Sequence, residues 1–229
     1  EEERIIARAM QAEAVFESLF FTEDCANAAL IKKCKSQKTQ CYEVSSSVFE
    51  KISYGRQAGG ILGVAQPKVR SLKDFRVKKS GLYVVLEKVE KPGNLGAILR
   101  TCEGAGVDGV FVCDSKTDLF NPNVIRASLG AVFLNSIFTG SNEDVLAVLQ
   151  KSKIHIVATT PDTRNIYTAE KLAQTCAIAM GTEDLGLSDF WLNHADSKVK
   201  IPMLGQVDSL NVSASTAILL YEAIRQRQK

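Results

Sequence analysis

Three polar, glycine-containing segments hold most of the chemically capable side chains in a chain that has only two histidines. They are Glu90-Lys-Pro-Gly-Asn-Leu-Gly-Ala-Ile-Leu-Arg100, Gly181-Thr-Glu-Asp-Leu-Gly-Leu-Ser188 and Ile201-Pro-Met-Leu-Gly-Gln-Val-Asp-Ser-Leu-Asn-Val-Ser213. The first places Asn94, Gly96 and Arg100 at i, i+2 and i+6, an amide and a guanidinium at the start of a helix. A helix cap at Asn94 beside a surface arginine would explain the same residues. In the second, Glu183 is a carboxylate just past the apolar run Cys176 to Met180, and Gly181 lets a ligand approach the backbone closely. A strand-to-helix turn with Ser188 capping a helix from Asp189 accounts for this segment too, and both readings hold together. The third sets Ser209 and Asn211 directly before a helix that ends in Ile218-Leu-Leu-Tyr-Glu-Ala-Ile224. A cap requires one polar residue there; two, with Gly205 in the loop, exceed it. The glycines form neither Gly-x-Gly-x-x-Gly nor a P-loop, so a dinucleotide or nucleoside-triphosphate site is unsupported.

These segments need a scaffold, and the apolar pattern supplies one. Strands are expected at 82 to 86, 109 to 113, 132 to 138, 154 to 158, 176 to 180 and 198 to 203, alternating with helices at 94 to 105, 122 to 129, 142 to 151 and 211 to 226. Continuous apolar strands separated by helices indicate an α/β fold with a mostly parallel sheet and helices on both faces. Ligands bind beyond the carboxyl ends of such strands, where all three segments fall. Upstream, short elements alternate: helix near 3 to 14, strand 18 to 21, helix 25 to 35, strand 40 to 44, helix 46 to 52 and strand 61 to 65. The boundary is the polar stretch 66 to 80, which opens with Pro67 and ends at Ser80-Gly81. The expected organisation is a small α/β domain over 1 to 65, a basic linker over 66 to 80 and a larger domain over 81 to 229.

Composition narrows the classes. At 229 residues with 45% hydrophobic and 24% charged residues, the chain can bury a sizeable core. Charged residues interrupt every apolar run well short of the roughly 20 residues of a spanning helix, so no membrane is expected. The chain opens in a helical pattern without an initiator Met, as expected where the true N-terminus lies upstream, so nothing about targeting is concluded from that end. Cys25, Cys34, Cys41, Cys102, Cys113 and Cys176 include no Cys-x-x-Cys pair, so no zinc site is expected, and the pattern fits reduced, buried thiols in a cytoplasmic protein. His155 and His194 read as structural. Net charge is only +2, yet residues 1 to 80 carry 14 Lys+Arg against 10 Asp+Glu. The clusters Lys32 to Lys38 and Lys68 to Lys79 suit either a solvated face or phosphate binding.

Taken in order, Asn-x-Gly-x-x-x-Arg, Gly-x-Glu-x-x-Gly-Leu-Ser and Ile-Pro-Met-x-Gly-x-x-x-Ser-Leu-Asn-Val-Ser resemble the SpoU or TrmH family of RNA ribose methyltransferases over Gly81 to Arg227. The resemblance implies a C-terminal trefoil knot, an exception to the rarity of knots. It also implies transfer of a methyl group from S-adenosylmethionine to a ribose 2′-hydroxyl of structured RNA, rRNA in preference to tRNA, by a homodimer whose contact the apolar side of helix 211 to 226 helps to bury. Carried over by position, it assigns Asn94, Arg100, Glu183, Ser209 and Asn211 to the catalytic and ribose site. Backbone around Gly181, Ile201 and Leu210 would hold the adenosine part of the cofactor, with Thr159 or Thr160 close by. One departure is Ala-Ser-Thr after Asn-Val-Ser, where Ser215 bears on local helix packing. Residues 1 to 65 resemble the L30e-like domain that often precedes this catalytic domain, on element order and Gly59-Gly-Ile-Leu-Gly-Val-Ala65. The competing classes are a catalytically inactive RNA-binding or ribosome-assembly protein that keeps the fold, which would have lost Arg100, Glu183 or Asn211, and a dinucleotide-dependent oxidoreductase, which needs the absent glycine fingerprint.

Overall fold

The computed structural model describes residues 1–25, 27–54, 59–66, 68 and 70–228; Pro67, named above as the opening of the boundary, lies outside them. The N-terminal part orders as α1 (Glu3–Gln11), β1 (Phe16–Phe21), α2 (Ala28–Ser36), β2 (Gln40–Glu43), α3 (Ser46–Ile52) and β3 (Ile61–Ala65). β1 lies in the middle of this sheet, parallel to β2 and antiparallel to β3. α1 buries Ile5, Ile6, Ala9 and Met10, a one-face repeat, and Ile6 and Met10 pack with Leu19, Leu30, Cys34 and Ile61. Asn27 and Ser45 cap α2 and α3 through their side-chain oxygens.

The remainder orders as β4 (Leu82–Glu87), α4 (Pro92–Gly104), β5 (Gly109–Cys113), α5 (Pro122–Ala127), α6 (Ala131–Leu134), β6 (Ile137–Gly140), α7 (Asn142–Lys151), β7 (His155–Thr159), β8 (Cys176–Met180), α8 (Asp189–His194), β9 (Ser197–Val199) and α9 (Val212–Arg227). The six strands are all parallel, in the order β6-β5-β4-β8-β7-β9. Period-two alternation divides β4 between two cores: Leu82, Val84 and Leu86 face α4 and α9, while Tyr83 and Val85 face the layer of α7 and α8. That is why its sequence is apolar throughout. The chain enters β8 between β4 and β7, leaves by β9 at the sheet edge, and returns through α9 onto α4.

Two expected strands are corrected. The run 132 to 138 is not one strand: Gly130, at φ 80°, starts the single helical turn α6, and the Asn135 amide ends it by donating to Ala131 O at 2.8 Å and Leu99 O at 2.9 Å. Apolar runs of this length do not separate strand from buried helix. The strand expected over 198 to 203 stops at Val199, because Lys200 turns to exchange main-chain bonds with Asn165 and Tyr167, and Pro202 has no N–H to offer a ladder. Leaving the sheet there frees Ile201 onward to cover the strand ends.

The basic stretch from Arg70 on packs against the larger sheet. Arg70 bridges Phe138 at the sheet edge, and Phe75 meets Tyr83, Phe111 and Phe138 edge-on with ring centroids 5.1 to 5.4 Å apart. Lys78 N donates to the Tyr83 hydroxyl at 2.8 Å, and its ammonium pairs with Asp108 at 2.8 Å. The N-terminal part docks through α1: Arg8 donates to Leu129 O at 2.5 Å, and Ile5 Cα would be 3.2 Å from a Cβ at Gly130. Arg126 reinforces the contact with hydrogen bonds to Glu1 and Tyr54 O and a guanidinium 5.3 Å over the Tyr54 ring.

Candidate active site

The three segments meet because their parent strands are neighbours. The 88–91 loop follows β4, the 181–187 loop follows β8, and the 200–211 segment follows β9, so all three leave the carboxyl edge of one sheet. α4 begins at Pro92, whose missing N–H and fixed φ suit a first helical position. Asn94 is therefore inside the first turn and is not the cap. The cap is the backbone position Lys91. α9, in contrast, is capped by Asn211, whose Oδ1 accepts from Ser213 N at 2.9 Å.

With its oxygen committed to the helix, the Asn211 amide nitrogen points outward and ties the segments together. Nδ2 donates to Asn94 Oδ1 at 3.1 Å and to Glu183 Oε1 at 3.0 Å. The second carboxylate oxygen of Glu183 accepts from the Lys91 ammonium. That hydrogen bond, and then the negative charge of Glu183, raises the Lys91 pKa above the usual lysine value. One side chain from each segment, plus Lys91, thus forms a closed polar chain. Lys91 had no signal in the sequence beyond its charge.

Gly181, which lines the cavity described below, is also met closely by the chain's own backbone. A Cβ there would lie 2.1 Å from both the carbonyl carbon and oxygen of Gly186 and 2.2 Å from Leu187 N. The close approach is thus by the chain's own backbone. Thr182 and Gly186 exchange both main-chain bonds, at 3.0 and 3.1 Å, and fold the 181–187 segment into a tight loop. Gly96 is likewise a packing glycine: a Cβ would meet Ala127 Cβ at 2.5 Å and Val124 O at 2.8 Å, so it lets α4 and α5 touch.

Ser188 occupies the N-cap position of α8, but its side chain makes no cap bond. It is held instead by Glu87, a carboxylate only 1% exposed at the end of β4. Glu87 accepts from Ser188 N at 2.8 Å, Ser188 Oγ at 2.7 Å and Asn142 Nδ2 at 3.0 Å, and Asn142 Oδ1 accepts from Trp191 Nε1 at 2.7 Å. A carboxyl group buried this deeply is tolerated only with such partners. The sequence offered one sign of it, an acid ending an otherwise apolar strand.

A cavity of about 340 Å³ opens beside the polar chain. Thr159, Thr160, Gly181, Ile201 and Leu210 all line it, as do Glu183 and Ser209. Thr159 Oγ1 donates to Ala179 O at 2.8 Å across β7 and β8 and so forms part of a fixed wall. Among the described residues, the main chain from Ile201 to Leu210 makes no hydrogen bond to other backbone. Its N–H and C=O groups remain available to a ligand. A smaller cavity of about 150 Å³ lies across the 181–185 loop, lined by Val89, Glu90, Lys91 and Asn94.

Arg100 is not brought to these residues. It sits exposed on α4, six positions after Asn94 and about 9 Å further along the helix axis, and makes no side-chain hydrogen bond or ion pair among the described residues. His155 and His194 are also elsewhere: His155 lies among Glu170, Ser197 and Asp196 at the opposite end of β7, and His194 bonds Phe190 O. All six cysteines are free, and burial pushes the Cys102 thiol up to about 12. Among the described residues no group of three or more His, Cys, Asp or Glu is placed to hold a metal, and no helix is long and apolar enough to cross a membrane.

Residues 81–221 match the model of the SpoU rRNA Methylase family. The 23S rRNA (guanosine-2′-O-)-methyltransferase RlmB of Pectobacterium atrosepticum is 36% identical over 145 residues, 63% of this chain and 59% of that protein. The chain thus spans about three-fifths of the length of the curated relatives it matches, such as this RlmB and that of Pseudomonas putida. Among solved structures, an RNA 2′-O ribose methyltransferase is 39% identical with a TM-score of 0.87, covering 100% of this chain and 88% of the other. An AdoMet-bound rRNA methyltransferase from Sinorhizobium meliloti is 26% identical with a TM-score of 0.91, covering 98% and 85%. The fold is the one these methyltransferases share, with its trefoil-knotted C-terminal part.

Proposed function

The chain belongs to the SpoU rRNA methylase family, and from that premise we propose that it transfers a methyl group from S-adenosylmethionine to a ribose 2′-hydroxyl of structured RNA, rRNA in preference to tRNA. The observation that carries this reading is the junction of Asn94, Glu183 and Asn211 beside a cavity walled by unpaired main chain. The cavity's volume falls in the range of small-molecule sites, and its free N–H and C=O groups suit the hydrogen-bonding edge of an adenine. Thr159, Thr160, Gly181, Ile201 and Leu210 are assigned to the cofactor. When bound, S-adenosylmethionine supplies an activated methyl on a good leaving group.

The residues of the chain then have to align the hydroxyl and ease the loss of its proton. Asn94, Glu183 and Asn211 fix the three loops, since their polar atoms satisfy one another. Ser209, exposed at the cavity rim, orients the ribose. Arg100, exposed on α4 and apart from the junction, is assigned to the RNA: with the RNA in place its free guanidinium grips the phosphate next to the ribose and polarises the hydroxyl. A guanidinium is essentially never deprotonated in proteins, so the proton passes to phosphate or water. Capture of the RNA is assigned to the basic clusters Lys32 to Lys38 and Lys68 to Lys79.

The functional unit is proposed to be a homodimer in the cytoplasm. The apolar side of α9, expected to bury the contact, is already packed into the chain's own core through Val212, Leu219, Leu220 and Ala223. Among the exposed apolar side chains that could meet a second copy are Leu185, Leu204 and Val207 on the site loops and Tyr221 on α9, which are 89%, 98%, 64% and 55% exposed. Calorimetric titration of the folded chain with S-adenosylmethionine in chelator tests the cofactor assignment. Binding is expected, and its absence would contradict the reading.

A further inference from the structure

A third cavity, of about 210 Å³, lies where α1 and the basic segment meet α6 and the 114–121 loop. Its lining combines Phe120 and Phe133, whose rings stack with centroids 6.1 Å apart, with Lys68 and Arg70 from the basic segment. Asn135 adds an acceptor, because both hydrogens of its amide are engaged by Leu99 O and Ala131 O while Oδ1 has no partner among the described residues. Arg70 makes no side-chain hydrogen bond or ion pair among the described residues, and Lys68 has only a 3.8 Å contact with the exposed Glu13. Aromatic rings, two cations and an amide acceptor in one cleft are the groups that hold an unstacked nucleotide. The volume admits one ring system and is below that of a drug-sized site.

The cleft is also tied to the active site by chain geometry. Lys116 pairs with Glu90 at 2.5 Å, and the Thr117 hydroxyl donates to Glu90 O, at the rim of the smaller cavity beside Asn94. Phe120 follows Lys116 by four residues, so their Cα atoms are at most about 14 Å apart. One short loop therefore runs from the acceptor side of the site to the aromatic cleft.

We propose that this cleft binds an unpaired nucleotide of the RNA substrate, its base against Phe120 and Phe133 and its phosphate on Arg70 and Lys68. The inference rests on the reading that the chain acts on RNA. It assigns a second contact on the same strand, apart from the nucleotide that is methylated.

The test uses the full chain, a 4-thiouridine decamer as probe, and the variants Phe120→Leu and Arg70→Gln. Photo-cross-linking is expected to mark the peptide that spans Phe120 to Asn135. Phe120→Leu should weaken decamer binding about fivefold or more. Arg70→Gln should weaken it and reduce the slope of log affinity against log salt by about 0.7. S-adenosylmethionine affinity should stay at the wild-type value in both, and melting temperature in Arg70→Gln, while Phe120→Leu melts somewhat lower because Phe120 packs on the core. If Phe120→Leu fails to fold, Arg70→Gln and the cross-link decide. Variants that bind the decamer as wild type does, in a chain that methylates RNA, would overturn the cleft and leave the activity standing. A wild-type chain that captures no decamer also overturns it, and methylation measured separately shows whether the RNA reading falls too. Competition by uridine monophosphate as strong as by the decamer would mark a free-nucleotide site and overturn the assignment to RNA.

Discussion

Asn211 Nδ2 donates to Glu183 Oε1 at 3.0 Å, so the residue that caps α9 also fixes the loop after β8. The same nitrogen reaches Asn94 at 3.1 Å, and the bridge is what makes three separate strand ends one site. Cap and bridge use different atoms of one amide and can be separated by substitution. Asn211→Asp keeps an oxygen for the cap but replaces the donor with a second carboxylate facing Glu183. It should melt near the wild type while losing most cofactor affinity and methylation. Asn211→Ala should lose about 1 kcal/mol of stability as well. Equal cofactor affinity in wild type and Asn211→Asp would remove the bridge from the account.

Gly181 and Gly205 make an internal control. Gly181 has backbone 2.1 Å from any Cβ, whereas nothing lies within 4 Å of one at Gly205, and neither residue has positive φ. Gly181→Ala should force the Gly186–Leu187 backbone aside, lower the melting temperature and weaken cofactor binding together. Gly205→Ala should leave the melting temperature unchanged. Similar thermal stability for the two variants would show that the loop does not depend on that approach.

Glu87→Ala should destabilise the fold by about 3 kcal/mol, because it strands Ser188 N and the Asn142 amide without acceptors in a buried site. Glu87→Gln keeps one acceptor oxygen and should lose less. Denaturant titration measures both. A loss below about 1 kcal/mol for Glu87→Ala would mean that water replaces the carboxylate.

Much of this was legible in the residues. The parallel sheet followed from unbroken apolar strands such as Leu82 to Leu86, and the site from three polar segments at strand ends. Local pattern reads periodicity but carries no information on which backbones come within 3 Å of each other. It therefore cannot show that Gly181 meets the Gly186–Leu187 backbone or that Gly96 lets α4 and α5 touch. Nor could it show that Ser188 turns to Glu87, since that contact joins residues 101 positions apart. The break in the run 132 to 138 needed the φ of Gly130 and the long-range bond from Asn135 to Leu99.

Arg100 stands free on α4, and its assignment is to the RNA and not to the cofactor. Arg100→Ala and Arg100→Lys should both bind S-adenosylmethionine as the wild type does. In single-turnover methylation, Lys should retain more activity than Ala because it keeps the charge. Equal, near-complete loss in both with RNA binding intact would instead favour a proton-accepting guanidine, and full turnover in Ala would exclude Arg100 from the chemistry.

The central claim, methyl transfer to a ribose hydroxyl, is tested most directly by incubating the chain with methyl-labelled S-adenosylmethionine and total RNA, then hydrolysing the RNA in alkali. A methylated 2′-oxygen cannot attack its neighbouring phosphate, so the account requires the label to appear in alkali-resistant dinucleotides. Label in mononucleotides alone would place the methyl on a base, and a folded, cofactor-binding chain that leaves the RNA unlabelled would contradict the activity itself.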